Sequence, residues 1–115
     1  MTREEREPRW RMESMSLEVS LIKHGTDAEL KLNGYIDAAN AAEVENLLIG
    51  VAAQYDNLLL DMGKLEYVSS AGLRAFKHVY MDLRRKGGVL KARNASKSVM
   101  EVLELTGFTR LFKFV

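Results

Sequence analysis

Two serines, Ser69 and Ser70, stand where an apolar stretch gives way to an amphipathic one, in the run Tyr67-Val68-Ser69-Ser70-Ala71-Gly72-Leu73. A hydroxyl at the start of a helix can accept one of the backbone N–H groups that have no partner inside the helix. The same place also tolerates a phosphate, because those N–H groups and the positive end of the helix dipole favour added negative charge. Serine here is either a plain cap or a reversible charge switch, and on residue type alone the cap is the better reading. Asp37, which follows the apolar Tyr35-Ile36, is the other group of interest, and its ordinary role is a cap or loop hydrogen bond. Asp61 closes the run Leu58-Leu59-Leu60 and should hold the following loop in shape.

Enzyme chemistry is hard to assemble from the remaining residues. His24 and His78 are the only histidines, and neither has a second metal ligand at a useful spacing. The serines lack the Gly-x-Ser-x-Gly setting of a nucleophile elbow. Gly87 and Gly88 follow a helical stretch instead of opening one, so they stop a helix and do not cradle a phosphate. The preceding Arg84-Arg85-Lys86 reads as a solvated helix end. No catalytic residue, metal or cofactor is expected.

The elements that must position the serines follow from periodicity. Leu17, Val19 and Leu21 alternate with Glu18 and Ser20, the pattern of a half-exposed strand. His24-Gly25-Thr26-Asp27 supplies a turn, and residues 28–32 return as a second strand, giving a hairpin. Val44, Leu47, Leu48 and Val51 share one face of a helix over 39–54, capped by Asn40 or Asp37. Leu58–Met62 forms the central strand, and Leu73, Phe76, Tyr80 and Leu83 mark a helix over 71–85. A strand at 89–92 follows, then a helix capped by Ser96 and stopped by Gly107, then a last strand at 110–115. Strands alternating with helices call for one mixed, largely parallel sheet. Asp37 and Ser70 then share the edge where the strands end, a favoured place for ligands and partners.

The 115 residues amount to one domain, with 47% apolar and 29% charged residues. A net charge of +1 argues against a nucleic-acid partner, which needs a basic excess to displace phosphate counterions. The absence of cysteine excludes disulfides and suits a reducing cytoplasm. No apolar run approaches the roughly 20 residues that cross a bilayer, and no signal peptide is visible. Residues 1–14 mix four arginines with four glutamates around Pro8 and read as a mobile charged tail before a domain at 15–115. Trp10 could instead hook that tail onto the domain.

Residues 16–115 resemble the STAS domain, the family of anti-sigma factor antagonists and of the cytoplasmic modules of sulphate transporters. The resemblance rests on the serine junction, on Leu32-Asn33-Gly34-Tyr35-Ile36-Asp37-Ala38-Ala39, and on Asn57 to Met62, in that family's order. It implies helices packed mainly on one side of the sheet, with the family's C-terminal helix missing after Val115. The surface such a helix covers would then be exposed or paired in a homodimer. It implies a phosphorylation-switched antagonist without catalytic activity. Unphosphorylated, this would sequester an anti-sigma factor/serine kinase of GHKL type and free a sigma factor; a PP2C-type phosphatase would reset it. Aligned on Gly72-Leu73, Ser70 falls on the phosphoacceptor, with Ser69 as the second choice because it stands where many antagonists carry aspartate. Asp37, Ser69, Ser70, Ala71, Gly72 and Leu73 would meet the partner. The competing reading is a STAS subunit of an ABC-type lipid transport complex, which need not be phosphorylated.

Overall fold

The computed structural model describes the backbone of residues 5–11 and all of residues 16–115. Six strands make one sheet in the order of the chain: β1 (Glu5–Arg11), β2 (Leu17–His24), β3 (Asp27–Ile36), β4 (Asn57–Val68), β5 (Leu90–Arg93) and β6 (Lys113–Phe114). The first three strands are antiparallel neighbours, and β3 to β6 run parallel. Helices α1 (Ala41–Ala52), α2 (Ser70–Arg85) and α3 (Lys97–Thr106) supply the crossovers. The mixed sheet opened by a hairpin is therefore as expected.

Residues 5–11 depart from the expected tail. They add a strand to the sheet edge, and Pro8 falls where the register with β2 slips between Arg6 and Arg9. Proline, which has no N–H to give a ladder, is tolerated in an edge strand at such an irregularity. The remaining tail positions, 1–4 and 12–14, and residue 15 lie outside the described residues.

Alternation decides which face is covered. Val19 and Leu21 of β2 register with Leu32 and Leu30 of β3, and Leu30 registers with Leu60 of β4, which registers with Ala92 of β5. These side chains share one buried cluster with Val44 and Leu48 of α1, Phe76, Val79 and Leu83 of α2, and Val99 and Leu103 of α3. All three helices thus lie on one face. The other face carries Glu18, Ser20, Lys31, Asp61 and Arg93 at the intervening positions.

β4 is more than twice as long as its apolar run suggested, because it contains two irregularities. Between Lys31↔Asp61 and Ile36↔Val68, β3 advances five residues while β4 advances seven. Its buried positions are accordingly Leu58, Leu60, Met62, Leu65 and Val68, a spacing that changes from two to three. Each β-bulge inserts one residue and restores the pleat beyond it. Asp61 holds the first bulge, its Oδ1 accepting the Gly63 N–H at 3.0 Å. The last strand is likewise shorter than expected: Phe108–Leu111 forms a 3-10 turn, leaving two residues in β6.

The basic end of α2 is not wholly solvated. The Lys86 ammonium donates to the carbonyls of Ala52 and Tyr55, closing the C-terminal end of α1. Among the described residues, no helix is long and apolar enough to cross a membrane.

Candidate functional site

The two parallel strands β3 and β4 finish side by side. Ile36 registers with Val68, and the Ser69 N–H donates to the Ile36 carbonyl at 2.8 Å. Asp37 and Ser69 therefore leave the sheet as neighbours, with Ser70 the next residue along.

Ser69 holds extended backbone (φ −81, ψ 170) and is the N-cap of α2, its Oγ accepting the Gly72 N–H at 3.1 Å. Its carbonyl accepts the Leu73 N–H at 2.9 Å, which begins the helical ladder. With the cap taken by Ser69, the hydroxyl of Ser70 is exposed and has no hydrogen-bond partner among the described residues. The two serines thus divide the roles that residue type alone left open. The first turn of α2 contains no acidic residue, so the helix itself supplies no negative charge to its unpaired N–H groups.

Gly72 explains why this helix starts so close to the sheet. A Cβ at Gly72 would lie 2.6 Å from Ile36 Cγ2 and 2.8 Å from Val68 Cγ2, both on branched, buried side chains. Only glycine lets the first turn rest on the strand ends. Gly72 and Leu73, expected among the residues that meet a partner, are both buried beneath the start of α2. They position the site; Ser69 and Ala71 are half-exposed, and Ser70 is the exposed member.

The adjacent loop is stiffened from within. Asp37 Oδ1 accepts the N–H groups of Ala39 and Asn40, each at 3.0 Å. Asn40, which sequence reading treated only as a helix cap, is fully buried. Its Nδ2 donates to Ser16 Oγ at 2.8 Å and to the Tyr35 carbonyl at 2.9 Å, while its Oδ1 accepts the Asp37 N–H at 3.0 Å. Each buried polar atom is thus satisfied, so the Asp37 carboxylate sits on a fixed loop. An Asp followed by an Asn three residues later was the available signal for this knot.

Asp61 is not part of the edge. It lies seven residues upstream of Val68 on the helix-free face, within a polar ladder formed with Arg93 and Glu29. Burial alone would raise its carboxyl, yet hydrogen bonds from the Gly63 N–H and Asn94 Nδ2, with the Arg93 guanidinium, outweigh it and hold it below the usual carboxylate value. The histidines pair with carboxylates, His24 with Glu29 at 3.1 Å and His78 with Glu45. The described residues contain no group of three or more metal-binding side chains.

Sequence patterns did not single out the exposure of Tyr35 and Tyr67. These two register across β3 and β4 just before the edge, 46% and 50% exposed, and the Tyr35 hydroxyl donates to Glu66 Oε1 at 3.4 Å.

Comparison with known proteins agrees with this fold. The family model of the STAS domain matches residues 18–115. A Bordetella bronchiseptica protein, BtrV, named as a candidate anti-sigma factor antagonist, is 40% identical over 85 residues, covering 70% of this chain and 71% of its own. The anti-sigma-B factor antagonist of Bacillus subtilis is 26% identical over 93 residues, covering 81% of this chain and 85% of its own. Among solved structures, unphosphorylated SpoIIAA, an anti-sigma factor antagonist, superposes with a TM-score of 0.74 at 14% identity, over 84% of this chain and 87% of its own. An anti-sigma factor antagonist from Mycobacterium paratuberculosis gives 0.73 at 24% identity, over 86% and 85%. With the sheet, the one-sided helices and the serine junction in place, the chain belongs to the STAS domain family.

Proposed function

We propose that this protein is an anti-sigma factor antagonist of the cytoplasm, a binding module without catalytic activity that is switched by phosphorylation of Ser70. The single observation that carries this reading is the division of labour at the start of α2: the Ser69 hydroxyl makes the cap, and Ser70 presents an exposed one with no hydrogen-bond partner among the described residues, at the same strand end that Asp37 follows. The relatives described as anti-sigma factor antagonists support the choice of partner.

The replacement of the family's aspartate by Ser69 also has a physical answer. Serine and aspartate are comparable N-caps, so the capping bond survives the exchange. In the unphosphorylated form, the edge formed by Asp37, Ser69, Ser70 and Ala71 docks on an anti-sigma factor that is also a serine kinase of GHKL type, and a sigma factor is released. The kinase transfers the γ-phosphoryl group of ATP to Ser70: the Oγ–phosphorus bond forms, the bond to the bridging oxygen breaks, and the hydroxyl proton passes to a base of the kinase. The new group brings about −1.5 to −2 charges at pH 7. The helix N-terminus tolerates it, so the fold persists. Asp37 on one side and the phosphates of ADP on the other repel it, so the complex separates. A PP2C-type phosphatase hydrolyses the ester and restores the first state.

The test is a binding titration against a purified anti-sigma kinase from the same genome. Ser70→Ala should bind as tightly as the unmodified protein, and Ser70→Glu at least tenfold more weakly, with unchanged circular dichroism. Wild-type affinity in Ser70→Glu, with loss in Ser69→Glu, would move the switch to Ser69. Wild-type affinity in both would leave a constitutive docking module, as a transport-complex subunit requires.

A further inference from the structure

We infer that Tyr35 and Tyr67 form the aromatic anchor by which this domain selects its anti-sigma partner, packing on an apolar patch of that protein edged by hydrogen-bond donors. The inference rests on the switch reading above and extends it, naming which side of Ser70 the partner grips.

The two tyrosines sit opposite one another on adjacent parallel strands, on the face turned away from the helices, one residue before the edge. Their successors Ile36 and Val68 point into the core at 0% and 4% exposure, and in a strand consecutive side chains take opposite faces. About half of each tyrosine is left to solvent although both are among the larger apolar side chains of the domain. Asp37 follows Tyr35 by two residues, and Ser70 follows Tyr67 by three, so the aromatic pair is continuous with the switch.

Chemistry narrows the occupant. Tyrosine gives a large contact area at low cost in conformational entropy and is over-represented among residues that dominate binding energy. Two acceptors adjoin the pair along the chain, the Glu66 carboxylate that already accepts the Tyr35 hydroxyl and the Asp37 carboxylate two residues beyond Tyr35. An apolar patch with backbone N–H or basic donors along its rim satisfies both the rings and the carboxylates. A purely apolar surface would desolvate the carboxylates without repayment. A kinase seated over Ser70 reaches this pair by overlapping the open face of the sheet. The stiff Asp37–Asn40 loop keeps Tyr35 in register, which lowers the entropy lost on docking.

The experiment titrates the purified, ADP-loaded anti-sigma kinase of the same genome with wild type, Tyr35→Ala, Tyr67→Ala, Tyr35→Phe, Tyr67→Phe and Ser70→Glu. Each alanine variant should bind about thirtyfold more weakly, the size expected of a dominant contact. Each phenylalanine variant should stay within about threefold of wild type, since the ring makes the contact. Thermal midpoints should hold. Wild-type affinity in both alanine variants, while Ser70→Glu is weakened, would overturn the anchor and leave the switch standing. Weakening in the alanine variants alone would keep the anchor and remove the switch. Sedimentation of the isolated protein covers a second copy as occupant: a monomer is expected, and a dimer that Tyr67→Ala dissociates would overturn the assignment to a kinase.

Discussion

Helices α2 and α3 begin with the same device and end up with different possibilities. Ser69 caps α2 by accepting the Gly72 N–H, and Ser96 caps α3 by accepting the Val99 N–H at 3.2 Å. The residue three after the cap is where they part. In α3 it is Val99, which packs into the core at 2% exposure. In α2 it is Gly72, whose missing Cβ lets Ile36 and Val68 close on the helix start. The first turn of α2 is therefore pressed onto the ends of two parallel strands, next to the loop that carries Asp37. α3 instead follows the four-residue strand β5, whose last residue registers with Asp61, seven positions before the edge of β4. A serine cap is common to both; what singles out α2 is a second, unused hydroxyl set against a rigid acidic loop.

The comparison is broken most severely at Gly72. Gly72→Ala forces Ile36 and Val68 apart and should cost about 1–3 kcal/mol, read as a lower urea midpoint. It should also weaken partner binding, because the start of α2 must lift from the edge. Unchanged stability would mean that the close approach has no energetic weight.

Removing the two caps sharpens the contrast. Ser69→Ala and Ser96→Ala should each cost about 1 kcal/mol, since both lose one capping bond. Only Ser69→Ala should also alter affinity for the anti-sigma kinase. Equal affinity losses would show that the α2 edge has no special standing.

A smaller effect comes from Asp61 and concerns pH. Its carboxyl is held below the ordinary value of 3.8, so the unfolded chain binds more protons in that range than the native state does. Its contribution to stability is complete at neutral pH, falls as pH drops past 3.8, and is gone below the depressed native value. The stability gap between wild type and Asp61→Asn should thus be open at pH 7 and close toward pH 3. A constant gap would show that Asp61 does not titrate as its hydrogen bonds require.

The least effect on the fold is expected from Ser70→Ala. Its hydroxyl caps nothing, so the urea midpoint should stay within the few tenths of a kcal/mol typical of an exposed position.

Sequence patterns carried the architecture because one face of the sheet is buried. Leu60, Leu73, Phe76, Leu83 and Leu103, each placed inside by strand or helix period, are 5% exposed or less. The pattern failed where the backbone departs from a regular pleat: at the two bulges of β4, alternation yields to a spacing of three, so the alternating run ends at Met62 although the strand continues to Val68. It also failed at groups whose partners are distant in the chain. Asn40 finds Ser16 across 24 residues, and Lys86 finds Ala52 across 34, neither of which leaves a local trace. The edge strand at residues 5–11 was missed because its charges and Pro8 carry no β period. At the site, topology alone showed that Asp37 and Ser70 follow strands that end at the same edge of the sheet. Which serine is the cap depended on a single hydrogen bond that residue types could not assign.

The most direct measurement maps the phosphate itself. The protein is incubated with the purified anti-sigma kinase of its own genome and ATP, and the product is digested and sequenced by mass spectrometry, with Ser69→Ala and Ser70→Ala in parallel. One phosphate on Ser70 is expected in the wild type and in Ser69→Ala, and none in Ser70→Ala. Incorporation that persists in Ser70→Ala, or none in the wild type with a kinase active toward another substrate, would contradict the assignment of the switch to Ser70.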